Sequence, residues 1–177
     1  MGRILIAYAS KTGATADAAA ALAKTIAAQC TLYDVGKQAY TGDGAARYTD
    51  EIAPDVCLYD AVVLGTAMYM GKPRRALVDY CRRNEAALAG RRLYLFTCGI
   101  GTEAEDGAYL RQALPQSLTG HAALYRHLGG EVRLARLGLF ERFAMAQYLK
   151  NCATQPTLDG DAIKALGLAI EKDEVEA

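Results

Sequence analysis

The N-terminal segment passes directly from a strand pattern to a helix pattern, and this restricts the folds open to the chain. Residues 3–9 (RILIAYA) are almost continuously apolar, as expected for a strand covered on both faces of a sheet. Residues 14–28 then place alanine, leucine and isoleucine at helical spacing. Only the bend Ser10-Lys11-Thr12-Gly13 separates the two. A buried strand followed at once by an amphipathic helix is typical of a parallel α/β sheet.

The rest of the chain repeats this alternation. Further strands are predicted at 30–35, 61–65, 92–97 and 122–128, helices at 73–88, 138–151 and 159–172, and a long polar connection at 36–54. This pattern predicts an α/β fold with a doubly wound, five-stranded parallel sheet and helices on both faces. At 177 residues, we expect one domain spanning residues 1–177. Because such sheets bind ligands beyond the carboxyl ends of their strands, the segments after strands one, three and four are candidates for function.

Composition argues against several classes of protein. Twenty basic residues balance twenty acidic ones, so no net charge favours binding to nucleic acid. No stretch approaches the roughly 18 apolar residues of a membrane span, and no signal peptide is recognisable, so we expect a cytoplasmic protein. Five scattered cysteines and two histidines offer no metal-ligand spacing, so we expect free thiols and no metal.

The bend after the first strand has the chemistry of an anion site. Its hydroxyls and glycine lead into a helix N-terminus, where free N–H groups and the helix dipole favour a phosphate by about 0.3–1 kcal/mol. The glycine pattern matches neither the Walker loop nor G-x-G-x-x-G. An ordinary capped turn between strand and helix is the alternative. The residues in question are Ser10, Lys11, Thr12, Gly13, Ala14 and Thr15.

The segments after strands three and four have the composition of a site for a flat ligand. The first is apolar and aromatic, although Met68 and Tyr69 could instead cap the core: Thr66, Ala67, Met68, Tyr69, Met70 and Gly71. The second carries two glycines that allow a ligand to approach the backbone: Thr97, Cys98, Gly99, Ile100, Gly101 and Thr102. Together with the phosphate bend, the two segments predict a site for a mononucleotide with a flat heterocycle.

These segments resemble the flavodoxin family. The bend SKTGAT fits that family's [ST]-x-T-G-x-T phosphate loop at every fixed position. Two further stretches, VVLGTAMYMGKP (62–73) and GGEVRLARLGLFERFAMAQYLKN (129–151), resemble the branch that includes the menaquinone-dependent protoporphyrinogen oxidases. The resemblance implies a strand order of 2-1-3-4-5 and a noncovalent FMN. It implies that the bend holds the FMN phosphate, that residues 66–71 line the isoalloxazine and that residues 97–102 close its other side, with Lys11 pointing outward.

The resemblance implies an FMN-dependent oxidoreductase that exchanges electrons with a redox partner protein, a quinone or a porphyrinogen. An FMN-dependent NAD(P)H:quinone reductase and a binding module that has lost its cofactor are the alternatives. Among nearby side chains, Glu103, Glu105 and Asp106 could oppose the charge of a reduced flavin, but we expect them mainly to favour the start of the next helix. We expect Cys98 to be a buried, neutral thiol.

Residues 133–150 combine four basic side chains with leucine, phenylalanine and tyrosine. A basic amphipathic segment of this kind can lie on an anionic membrane, which would suit a quinone partner. The alternative, which we prefer on the sequence, is a core-facing helix with solvated arginines.

Overall fold

A parallel sheet lies at the centre of the computed structural model, which describes residues 2–37, 39–40, 46–47 and 53–175. The strands are β1 (Arg3–Ala9), β2 (Gln29–Asp34), β3 (Ala39–Tyr40), β4 (Ala46–Arg47), β5 (Ala61–Tyr69), β6 (Lys72–Pro73), β7 (Arg92–Cys98) and β8 (Leu124–His127). The main sheet has the order β2-β1-β5-β7-β8, and all four of its pairings are parallel. Numbered along the chain, its five strands follow 2-1-3-4-5, which confirms the predicted fold.

The remaining strands form two short antiparallel pairs. β3 pairs with β4, and β6 folds back on the end of β5. Most of the predicted 36–54 connection lies outside the described residues, apart from a 3₁₀ turn at Val35–Lys37 and the β3–β4 pair.

The helices cover both faces of the sheet. They are α1 (Ala14–Thr25), α2 (Arg75–Arg83), α3 (Glu85–Ala89), α4 (Glu103–Ala113), α5 (Gln116–Thr119), α6 (Leu139–Lys150) and α7 (Gly160–Val175). α1 and α7 bury residues such as Leu22 and Leu166 against one face, and α2 to α5 bury residues such as Leu77 and Leu110 against the other. Residues 4–9 of β1 are buried, with alternate side chains in the two cores, which explains the continuous apolar run.

Two predicted boundaries are wrong for identifiable reasons. β5 continues to Tyr69, and a two-residue turn at Met70-Gly71 then leads into β6. Both turn residues have positive φ, 50° and 71°, which is the geometry of a type I′ hairpin turn. Pro73 therefore lies in β6, and the next helix begins at Arg75 instead of Pro73. That helix breaks at Asn84, whose side-chain amide donates to the Tyr80 carbonyl at 2.9 Å.

Within the described part of the chain, no helix is both long enough and apolar enough to cross a membrane. The same residues contain no group of three or more His, Cys, Asp or Glu side chains arranged to hold a metal ion.

Candidate functional site

The three predicted segments meet in one cleft of about 510 Å³ at the carboxyl ends of β1, β5 and β7. Its location is the one expected for a doubly wound sheet. Most of the predicted residues line it: Lys11, Thr12, Ala14, Thr15, Ala67, Met68, Tyr69, Met70, Gly71, Cys98, Gly99, Ile100 and Gly101.

The other predicted residues shape the walls of the cleft. The Ser10 Oγ accepts a hydrogen bond from the Gly13 N–H at 3.0 Å, which closes the bend. The buried Thr66 hydroxyl accepts from the Arg74 N–H at 2.9 Å. Thr97 Oγ1 lies 2.7 Å from the Tyr125 hydroxyl, and Thr102 caps α4. These hydroxyls are therefore structural in this arrangement.

The first loop presents the N-terminus of α1, whose N-cap residue has no side chain with which to cap the helix. Gly13, with φ of 102°, is the N-cap of α1, and no side chain forms a cap hydrogen bond there. A left-handed φ of this size favours glycine. The next residues, Ala14 and Thr15, line the cleft. The positive end of the α1 dipole therefore faces the cleft, and Asp17 is the acidic residue of the first helical turn.

Two guanidinium groups lie over this bend. A Cβ placed on Gly13 would be 2.8 Å from Arg133 Nη1 and 2.9 Å from Arg136 Nη1. Arg136 Nη1 donates to the Thr12 carbonyl at 3.2 Å. Two cations at the positive end of a helix repel that end, unless an anion lies between them. The arrangement therefore has the electrostatics of an anion site.

Arg133 also pairs with two carboxylates. Its guanidinium contacts Asp17 Oδ2 and lies 2.6 Å from Glu131 Oε2. These hydrogen bonds raise the pKa of Arg133, with the Glu131 bond contributing most. Sequence reasoning missed both arginines as site residues. The only signal was the basic segment that follows the Gly129-Gly130 pair.

The prediction that Lys11 points outward is wrong. Its Nζ lies 2.5 Å from Glu141 Oε1 and 3.5 Å from the centroid of the Tyr69 ring. The carboxylate and the ring face both attract the ammonium group, which explains its inward position. The hydrogen bond from Lys11 is also the main reason why the pKa of Glu141 is lowered. These contacts join the first loop, the end of β5 and α6.

The second segment belongs to the β5–β6 hairpin and forms one wall of the cleft. Met68 and Tyr69 are half-buried and line the cleft, so the alternative that they cap the core does not describe this structure. Met70 at the turn is 85% exposed. From the opposite side, the Tyr109 ring of α4 packs against Gly71, where an added Cβ would lie 3.0 Å from the ring.

Behind the third loop lies a buried carboxyl group. Asp106 lines the cleft, is 3% exposed and has no hydrogen-bond partner for its Oδ2 among the described residues. His127 Nδ1 lies 3.3 Å from that oxygen, close enough for ionic attraction but outside hydrogen-bond alignment. Burial raises the pKa of Asp106, while His127 opposes the shift. We expected the acidic residues after β7 mainly to favour the start of the next helix. Glu105 does so, because it completes the capping box of α4. This role does not explain why Asp106 is buried.

Cys98 matches its predicted state. The thiol is 3% exposed, and burial raises its pKa to about 12, so it is neutral near pH 7. Its side chain forms a hydrogen bond with that of Thr15.

The preferred prediction of a core-facing helix at 138–151 is wrong. α6 contains no buried residue, and Leu139, Phe140 and Phe143 are 86%, 94% and 79% exposed. Its Ala144, Met145 and Tyr148 line the cleft. α6 therefore forms part of the wall of the cleft instead of packing on the sheet.

Solved structures of known proteins share the fold of this chain. The chain resembles a flavodoxin from Fusobacterium nucleatum bound to flavin mononucleotide, with 12% identity over 98% of this chain and 99% of that one and a TM-score of 0.56. It resembles a short-chain flavodoxin associated with a bacterial microcompartment, with 12% identity over 98% and 99% of the two chains and a TM-score of 0.57.

A third structure with the same fold is a flavoprotein in complex with FMN from Lactobacillus acidophilus. It has 16% identity over 72% of this chain and 93% of that one, with a TM-score of 0.51. No curated protein matches the chain significantly. The model of one family, described as the flavodoxin domain, matches residues 5–158. These residues include most of β1 and all of β5, β7 and α6. The chain therefore belongs to the flavodoxin-domain family.

Proposed function

We propose that the chain binds FMN in the cleft and works as an electron-transferring oxidoreductase. The observation that carries this proposal is the division of the cleft into two chemically different ends. One end combines the uncapped N-terminus of α1 with the guanidinium groups of Arg133 and Arg136. The other is lined by apolar and aromatic side chains, which include Met68, Tyr69 and Tyr109.

The residues present fit FMN. The cleft volume of about 510 Å³ falls within the roughly 300–1,000 Å³ of small-molecule sites. Thr12, Ala14 and Thr15 line the end suited to the phosphate. Aromatic side chains at the other end suit a flat ring system. Membership of the flavodoxin-domain family and the FMN-bound structures of the same fold also support this choice.

When bound, FMN supplies the redox chemistry, and the protein supplies position and electrostatics. In this chain the first loop and its arginines would hold the phosphate end. The β5–β6 hairpin and the loop after β7 would hold the ring end, and α6, which lines the cleft, would limit the access of water. Cys98 keeps its proton and serves as an apolar wall, since its pKa of about 12 disfavours the thiolate.

Colour is the first test of this proposal. The purified protein is expected to absorb in the flavin bands and to release FMN when it is denatured. A T12V/T15V variant is expected to bind FMN about tenfold more weakly, because each lost hydroxyl removes a hydrogen-bond donor worth about 0.5–1 kcal/mol net. A T154V variant is the matched control, since Thr154 is exposed and lies outside the cleft. Colourless protein that takes up no added FMN would contradict the proposal.

We propose further that the partner is a membrane quinone or a porphyrinogen, reached through contact between residues 133–150 and an anionic membrane. The exposed Leu139, Phe140 and Phe143 support this, with the exposed Arg136 and Arg142 close to them in sequence. Apolar side chains flanked by cations suit the interface of anionic lipids. The resemblance to menaquinone-dependent protoporphyrinogen oxidases points to the same class of partner.

Co-sedimentation with liposomes tests the membrane contact. The protein is expected to sediment with phosphatidylglycerol-rich vesicles at low salt and to be released at high salt, because screening weakens the attraction of arginine for the surface. An F140S/F143S variant is expected to lose most of the binding, whereas an exposed change elsewhere, L168S on α7, is expected to leave it intact. Absence of the wild-type protein from the pellet at low salt would contradict the contact.

A further inference from the structure

Residues 131–156, here called the flap, leave the sheet and return to it through a closed neck. At this neck the Gly130 N–H donates to the Thr157 carbonyl at 3.1 Å. The Asp159 N–H donates to the Leu128 carbonyl at 2.9 Å. Because these bonds hold the two ends of the flap together at the sheet, the flap can move as a unit while the sheet stays in place.

The flap contributes no side chain to the core. All of its residues are described by the structure, and none of them is buried. Segments with few buried apolar contacts open at a lower cost in free energy than the elements of a core. The contacts at the edge of the flap therefore decide its position.

Polar contacts hold the flap against the first loop and α1. Three of them are Lys11–Glu141, Arg136–Thr12 and Arg133–Asp17. The Lys11–Glu141 pair, here called the latch, is the one that holds α6 itself. Its side chains are 21% and 34% exposed, and a partly exposed ion pair stabilises only weakly. The latch can therefore open without a change elsewhere in the fold.

Helix α6 presents different faces to the cleft and to the surroundings. The inner face lines the cleft with Ala144, Met145 and Tyr148. The outer face exposes Leu139, Phe140 and Phe143. At about 100° per residue, these two groups lie on roughly opposite sides of the helix. A surface that binds the outer face therefore reaches the inner face only when α6 turns away from the cleft.

We propose that the flap is a gate on the cleft, closed by the latch and opened by contact with an anionic membrane, and this inference rests on the proposed function. A membrane shifts the gate only as far as it binds the open state more tightly than the closed one. The closed flap offers the membrane the outer face of α6, whereas the open flap also offers the apolar side chains of the inner face. Opening removes one wall of the cleft, so an apolar redox partner from the membrane, such as a quinone, can reach the ring end.

The reactivity of a cysteine placed in the cleft tests the gate without any cofactor. Met68 is half-buried and lines the cleft, so M68C reports on access to it. The measurement is the rate at which a bulky, neutral maleimide alkylates residue 68 of the FMN-free protein, followed by peptide mass spectrometry. Phosphatidylglycerol-rich vesicles at low salt are expected to accelerate the reaction about threefold or more. An M68C/F140S/F143S variant is expected to lose this acceleration.

Two changes of opposite charge test the latch. Without vesicles, M68C/E141Q and M68C/K11M are each expected to react about threefold faster than M68C, because either change breaks the same weak ion pair. A purely electrostatic effect on the thiol would instead move the two rates in opposite directions, and that result would overturn the latch.

Controls separate the possible failures. M68C/E103Q removes a half-exposed carboxylate of α4 that lies outside the cleft, and it is expected to react like M68C. If M68C does not fold, M145C on the inner face of α6 carries the test. Rates that stay the same with and without vesicles would overturn the gate, even for a protein that binds FMN. Failure of the wild-type protein to bind FMN would instead overturn the proposed function, which these rates do not measure.

Discussion

An R133M/R136M variant is expected to bind FMN about a hundredfold more weakly than the wild-type protein, at about tenfold per guanidinium. Both guanidinium groups lie over Gly13 at the positive end of α1. Removal of Arg133 also leaves the carboxylates of Asp17 and Glu131 facing the anion without their partner. Methionine retains the length and apolar character of the arginine stem. Fluorescence titration of the FMN-free protein measures the effect.

Riboflavin is the control ligand, because it has the same isoalloxazine ring as FMN but no phosphate. Its affinity is expected to differ by less than threefold between the wild-type and R133M/R136M proteins. R142M is the matched control on the side of the protein, since it removes an exposed cation of α6. The weaker FMN binding is expected to depend less on salt as well, because fewer charges contact the phosphate. An equal loss for riboflavin and FMN would show that the arginines only support the fold.

Changes at the contact between Gly65 and Phe96 are expected to have the largest effect on folding. A Cβ on Gly65 would lie 2.0 Å from Phe96 Cζ, and Phe96 is fully buried. A G65A variant therefore has to move a packed ring, and we expect it to lose about 3 kcal/mol of unfolding free energy. An F96A variant is expected to lose about 4 kcal/mol, since it leaves a cavity in the core.

The double variant tests whether these two losses share one cause. The methyl group that G65A adds would occupy part of the space that the Phe96 ring leaves. We therefore expect G65A/F96A to lose at least about 1 kcal/mol less than the sum of the single variants. Guanidinium denaturation of the FMN-free proteins gives the three free energies. Additive losses would show that Gly65 and Phe96 do not compete for the same volume.

Local patterns in the sequence were sufficient to predict the doubly wound α/β class and the position of the cleft, and the resemblance to the flavodoxin family supplied the strand order. The apolar run of residues 3–9 and the helical spacing after Gly13 each depend on neighbouring residues, and both elements were confirmed. The hairpin was missed because β5 continues past Gly65, through residues that resemble a loop in composition. Its turn at Met70-Gly71 also lacks the asparagine or aspartate that commonly signals a type I′ turn.

The charged contacts of the cleft could not be predicted in this way, because they join residues that are distant in the chain. Lys11 and Glu141 are separated by 130 positions, and Arg136 and Thr12 by 124. Periodicity describes one helix or strand and carries no information about which side chains meet across the cleft. The burial of Asp106 was likewise hidden, since acidic residues in a first turn are usually explained by the helix dipole.

Helix α6 differs from most helices of the domain because its side chains do not pack into the core. A helix that contributes to the core can change only within the limits of packing, whereas α6 buries no residue. Substitutions on its outer surface are therefore expected to leave the free energy of unfolding nearly unchanged. Related chains could change the exposed outer side chains of this helix, while the sheet, the phosphate loop and the α6 side chains that line the cleft stay unchanged. The outer surface of α6 can therefore vary in evolution without a cost to the packing of the core.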